Sequence, residues 1–129
     1  MFEHREIPIM AYNLYTILAE KIETILSRNV ANSRGRDFYD VFILISLNRD
    51  TLSRDELLNA IRIKANERNS LLYIKDYQKH LIDISNSPEI AKIWAAYVEN
   101  YSYAEGISLS DSLSEISWVF ESFSDENSV

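Results

Sequence analysis

The chain contains no cysteine. Disulfides and thiolate metal ligands are therefore excluded, and a reducing, cytoplasmic setting is the expected one. No stretch approaches the ~20 apolar residues that a membrane span requires. The N-terminus carries no signal-peptide pattern, so no membrane partner is expected. Glycine and proline are scarce, two of each in 129 residues. All four lie outside the interiors of the helices read below, so the local signals agree with one another. Basic residues are missing from one end. Residues 93–129 hold seven acids and no Lys or Arg, which accounts for the whole net charge of −7. Residues 1–92 hold 13 basic and 13 acidic side chains and are balanced. An acidic end repels phosphate backbones, so nucleotide or nucleic-acid contacts are expected in the earlier part. There are no repeats and no low-complexity segments. With 47% apolar and 26% charged residues the composition is ordinary for one compact domain with its own core.

The most informative stretch is residues 12–45, which reads as two helices joined by a polar loop. Asn13 suits a helix N-cap, and Leu14, Ile17, Leu18, Ile22, Ile25 and Leu26 then form one apolar stripe to about Arg28. Lys21 falls inside that stripe. Snorkelling is the plain explanation: the alkyl stem covers apolar surface and the ammonium reaches water. The next helix, Asp37 to Leu47, is apolar nearly all round and should be buried. Asp37 and Asp40 share a face at its N-terminal end. Acids there suit the helix dipole, and Asp37 could act as the cap. Two acids on a buried helix end near an inward-facing lysine are also how a polar site is built. Arg28, Arg34 and Arg36 flank the intervening loop and are its candidate cations.

The remaining chain reads as helical support. Residues 2–12 read as an extended segment, since Pro8 is unwelcome inside a helix. Ser53 and Glu56 form a capping box for a helix to about Arg68, with Leu57, Leu58, Ile61 and Ala65 inward. Asn69 and Ser70 break the pattern, and Leu71 to Ile84 is helical in its later part. Ser87, Pro88 and Glu89 start another helix, whose stripe of Ile90, Ile93, Trp94, Tyr97, Val98 and Tyr101 reads as core. After Gly106, Ser108 or Ser110 caps a last helix with Leu109, Leu113, Ile116, Phe120 and Phe123 on one face. The expected fold is all-α: a bundle of about five or six helices over residues 13–124, an extended segment at 1–12 and a frayed tail at 125–129. His4 and His80 receive no role.

Three blocks, LAEK at 18–21, RDFYD at 36–40 and WAAYVENYSYAEGIS at 94–108, resemble in order and spacing the C-terminal half of the AbiEii/AbiGii nucleotidyltransferase toxins. The block RNSLLYIKDYQ at 68–78 continues the likeness, which covers about residues 7–123. The resemblance implies a toxin of a type IV toxin–antitoxin, phage-defence system that transfers nucleotides from an NTP to an RNA acceptor, using a divalent metal such as Mg²⁺. On the matching positions, Lys21 would hold nucleotide phosphates with help from Arg36, and Asp37 or Asp40 would be the general base. The family's metal site needs a Gly-Ser turn followed by paired acids on a strand. Neither Gly35 nor Gly106 precedes Ser, and no D-x-D occurs. The resemblance thus implies a chain without the metal-binding half, inactive alone, whose residues 1–12 are the remnant of a missing α/β sheet. It needs no cofactor of its own. Its expected partners are that missing half, an antitoxin, or a second copy in a homodimer, with nucleotide or tRNA by resemblance. The other reading is a non-catalytic helical interaction module. A helix-turn-helix DNA binder is disfavoured, since no short helix carries a basic reading face.

Overall fold

A computed structural model describes the backbone of residues 3–28 and 33–128, and the side chains of residues 13–28 and 33–121. Within the described residues there are seven α-helices, one short 3-10 turn and no strand. They are α1 (Glu3–Ser27), α2 (Gly35–Asn48), α3 (Arg54–Glu67), α4 (Leu71–Lys75), α5 (Tyr77–Ser85), α6 (Pro88–Asn100) and α7 (Leu109–Ser128), with the 3-10 turn at Ser102–Ala104. The all-α bundle expected from hydrophobic period is what forms.

The helix starts follow from local chemistry. Ser53 Oγ accepts from Glu56 N at 3.2 Å, and Ser87 Oγ accepts from Ile90 N at 3.2 Å, ahead of Pro88. Ser108, rather than Ser110, opens α7. Its Oγ accepts from Asp111 N at 3.0 Å, and its own N–H donates to Asp111 Oδ2 at 2.9 Å, a reciprocal box with Asp in place of Glu. The end of α3 is closed by a left-handed Asn69, φ 56°. Ser70 N then reaches Ala65 O at 2.8 Å and Asn69 N reaches Asn66 O at 3.3 Å, the paired bonds that satisfy a helix's last carbonyls.

Three expectations are corrected. Residues 3–12 are helical, not extended, and Asn13 lies exposed inside α1 rather than capping it. Pro8 forfeits one backbone hydrogen bond, but lengthening a formed helix needs no new nucleus, whereas a lone strand has nothing to pair with. For the same reason α7 continues to Ser128 in place of a tail frayed from 125; Val129 lies outside the described residues. The 71–84 segment is two helices, divided where Asp76 leaves helical geometry (φ −95°, ψ 25°). The side chain of Phe123, expected on the inner face of α7, lies outside the described residues.

One core joins the helices. α1 packs on α3, α2 on α7, and α3 on α7, while α1 and α2 also meet directly. Leu18, Ile22, Phe38, Val41, Ile45, Leu57, Ile61, Ile90, Ile116 and Val119 are fully buried there. The first turn of α2 is tied down from α7, where Ser112 Oγ donates to Phe38 O at 2.7 Å in the interior. Arg49 and Arg54 lie over the Trp118 ring at 4.2 and 4.7 Å, fixing the α2–α3 turn to α7.

Glu23 is the one charged side chain buried among the described residues, at 2% exposure. Arg68 Nη1 donates to Oε1 at 2.6 Å, while Ser27 Oγ and Ser70 Oγ donate to Oε2 at 2.9 and 2.8 Å. The cluster thereby pins the α3–α4 turn to α1. Glu23→Ala is expected to lower stability by roughly 2–4 kcal/mol, since it strands three donors. A shift in the urea midpoint at constant slope checks this, and Ser27→Ala should cost clearly less.

Candidate functional site

The first two turns of α2 carry Arg36, Asp37 and Asp40 on a helix whose other side is core. Lys21, one helix earlier, points between the two acids. Its Nζ lies 3.4 Å from Asp37 Oδ1 and 3.0 Å from Asp40 Oδ2. The three side chains are 24%, 18% and 22% exposed, so the ammonium neither escapes to water nor is sealed from it. Snorkelling to bulk solvent is therefore not what Lys21 does. Its stem follows the core stripe, and its head is held by carboxylates sixteen and nineteen residues away.

Two arginines complete the cluster. Arg28 Nη1 is 3.9 Å from Asp37 Oδ2, and Arg36 Nε is 3.5 Å from Asp40 Oδ2 in an i,i+4 pair. Arg36 is 78% exposed, so this second pair is weak in itself and its guanidinium can swing. Arg34 is also exposed; it precedes α2 with extended backbone, and no side-chain cap bond forms there. Asp37 does not cap the helix but sits in its first turn. Three cations against two carboxylates leave the cluster net positive. The open N–H end of α2 adds partial positive charge. Asp37 has a cation at each oxygen, whereas both contacts of Asp40 fall on Oδ2.

Beside Arg28 an open polar cleft of about 460 Å³ lies between α1 and the α3–α4 turn. Thr24, Ser27, Arg68 and Tyr73 are among its walls, and Glu23 forms its floor. Sequence reasoning named Arg28 but missed Glu23, Arg68 and Ser70 as a unit. Their separation of up to 47 residues leaves no local spacing to read.

Tyrosines gather on the other flank of the α2 start. Tyr39 lies 4.8 Å from Tyr103 and 6.1 Å from Tyr97 between ring centroids. Tyr97 in turn contacts Trp94 and Tyr101. The stripe on α6 expected to be core is core only in part. Ile90 and Trp94 are buried, Ile93, Tyr97 and Val98 are half-buried, and Tyr101 is exposed. Helix α6 ends at Asn100, so Tyr101 leaves its face. The Tyr97 and Tyr103 hydroxyls lie 2.7 Å apart. Burial first, then this hydrogen bond with Tyr103 and the negative charge of Asp40, pushes the Tyr97 hydroxyl well above the ordinary tyrosine range; Arg36 opposes the shift. Tyr97 therefore stays protonated at any physiological pH.

No group of three or more His, Asp or Glu side chains suited to a metal ion occurs among the described residues. Asp37 and Asp40 face cations, which is the wrong surrounding for a divalent ion. No described helix is long and apolar enough to cross a membrane.

The family model for the nucleotidyl transferase AbiEii toxin of the type IV TA system matches residues 1–121. No curated protein and no solved structure matches the chain.

Gly35 sets how closely α2 approaches α6. A Cβ there would stand 2.6 Å from Tyr97 Cβ and 2.8 Å from Tyr97 Cγ. Gly35→Ala is expected to cost about 1–3 kcal/mol by overpacking. Thermal melts should show the loss, and Tyr97→Gly in the same chain, which removes the Cβ as well as the ring, should make the added methyl tolerable, whereas Tyr97→Ala keeps the 2.6 Å contact.

Proposed function

Since the chain belongs to the AbiEii nucleotidyl transferase toxin family of type IV toxin–antitoxin systems, we propose that Lys21, Asp37 and Asp40 are the part of a nucleotidyl-transfer site that this chain supplies. The observation that carries the proposal is Lys21 held between two carboxylates at the open end of α2. Lys21 and Arg36 neutralise phosphate oxygens of the incoming nucleotide, the former as a point charge, the latter as a mobile fork. A carboxylate accepts the proton of the RNA acceptor's hydroxyl as that oxygen bonds to the α-phosphorus, while the bond from that phosphorus to pyrophosphate breaks and pyrophosphate departs. Asp40 is the better placed of the two, because its close cation contacts both fall on Oδ2, whereas Asp37 is approached at each oxygen. Asp37 holds Lys21 and Arg28 in position.

Phosphoryl transfer rests chiefly on electrostatic stabilisation by metal and cations. The acids present are engaged by Lys and Arg and do not fit a divalent ion, and the sequence holds neither the Gly-Ser turn nor the paired acids. These 129 residues alone should therefore transfer nothing; the metal-holding acids must come from another segment or chain. Purified protein incubated with each labelled NTP, Mg²⁺ or Mn²⁺ and total tRNA should yield no labelled product. Metal-dependent labelling would overturn this account of what the chain lacks.

Nucleotide binding without turnover should survive. Titration with an NTP should show Lys21→Ala weakening affinity by roughly 10- to 100-fold, the value of one charge-assisted contact. An unchanged affinity would remove Lys21 from the phosphate site.

A second reading, association through an apolar surface, is favoured by a specific feature. Leu72 is 72% exposed beside Leu71 and Tyr73, next to a cavity of about 300 Å³ lined by Leu58, Ile74, Tyr77 and Phe120. Exposed apolar side chains beside an apolar cavity often mark an interface, here for the missing half, an antitoxin or a second copy. Light scattering coupled to gel filtration at micromolar concentration should give a mass above 15.0 kDa, reduced to the monomer by Leu72→Asp. A wild-type monomer would rule out the homodimer.

A further inference from the structure

We propose that Tyr101 and Tyr103, backed by Tyr39 and Tyr97, form a stacking surface for an unpaired nucleobase beside Lys21, Asp37 and Asp40. The inference rests on the nucleotidyl-transfer reading above and adds the place where a base is held.

The tyrosines are too exposed to be core. Tyr101 and Tyr103 are 46% and 55% exposed, although large aromatic side chains repay burial. They are nevertheless ordered as a group, with ring centroids 5.5 Å apart and each in contact with Tyr97 at 4.7 and 6.2 Å. The Tyr97–Tyr103 hydroxyl bond fixes one exposed ring against a half-buried one. Ala104 just beyond is fully buried and anchors the 3-10 turn that carries Tyr103. Exposed rings held by a buried support lose little entropy on stacking a ligand.

The tyrosines are continuous with the charged cluster. At about 100° per residue, Gly35, Tyr39, Arg36, Asp40 and Asp37 follow one another round the first turns of α2. The Gly35–Tyr39 side meets Tyr97 and Tyr103, and the Asp40–Asp37 side meets Lys21. Arg36 and Asp40 both act on the Tyr97 hydroxyl, so the two halves share one field. A flat π-surface joined to Lys and Arg matches a nucleotide: base on the rings, phosphate toward Arg36 and Lys21. The flanking acids Glu99 and Glu105 would repel a backbone running along α6, so only a base at a strand end, or that of a free nucleotide, suits the surface.

The chemistry is that of a nucleobase, and its source is either the acceptor's end or the donor nucleotide. Single-stranded oligo(A) RNA tetramer, the same tetramer abasic at its 3′ end, and ATP are titrated separately into the whole protein. Protein and Tyr101→Ala/Tyr103→Ala and Tyr101→Phe/Tyr103→Phe variants are compared, with helical content and melting checked for each. Stacking contributes about 1–3 kcal/mol per base, so the alanine pair should weaken binding roughly 5- to 100-fold and the phenylalanine pair should restore it. The abasic tetramer should bind the wild type with the alanine variant's affinity if the acceptor end is held. The same tyrosine dependence seen with ATP alone assigns the surface to the donor base. A folded alanine pair that binds both probes as the wild type does overturns the proposal and leaves the transfer reading intact. Tyrosine-dependent binding that Lys21→Ala does not alter keeps the surface and removes its link to the charged cluster.

Discussion

One ammonium group joins the first two helices. Lys21 enters from the core stripe of α1 and ends between the carboxylates of α2. A lysine is rarely buried without partners, and two acids on one helical turn rarely lie so close without a cation between them. Each side thus makes the other tolerable at partial burial. The result is an ordered polar site at the edge of an apolar bundle, and the approach of α1 to α2 depends on it.

The surroundings keep that site fixed. Ser112 holds the first turn of α2 from α7, and Gly35 lets α6 come close enough for Tyr97 to touch the helix backbone. Glu23, with Arg68, Ser27 and Ser70, fixes α1 to the α3–α4 turn. A site whose supports come from four helices is preorganised, which is what positioning a nucleotide against an acceptor demands. The same architecture explains the uneven charge. The acids of residues 93–129 lie on α6, α7 and the turn between them, while the cations near the site come from α1, α2 and their loop.

The chain's acids and bases also bound its chemistry. Arg28, Arg36 and Lys21 gather positive charge around the two carboxylates, and in the proposed transfer they would face phosphate while Asp40 would accept a proton. A divalent ion needs oxygens facing one another without cations between them. No group of three or more side chains suited to such an ion occurs among the described residues.

Short-range physics was readable from the sequence. The helical periods, the caps at Ser53, Ser87 and Ser108 and the stop at Asn69 each rest on residues within one turn of each other. The placement of Lys21 in the apolar stripe and of two acids on one face also rested on helical spacing, which is why their meeting could be expected. Where a feature depended on neighbours distant in sequence, the reading failed or was silent. Residues 3–12 join a helix although Pro8 argues locally against one. Tyr101 shares the period of a core stripe, but α6 ends one residue before it. Glu23 lies outside the α1 stripe and is buried because Arg68 and Ser70 arrive from a turn 45 and 47 residues away. The sequence alone therefore determined the helices, their caps and the residue types of the site. Only the tertiary structure decided which charges are paired and which rings stay open, because burial is a property of the whole assembly of helices and not of any one of them.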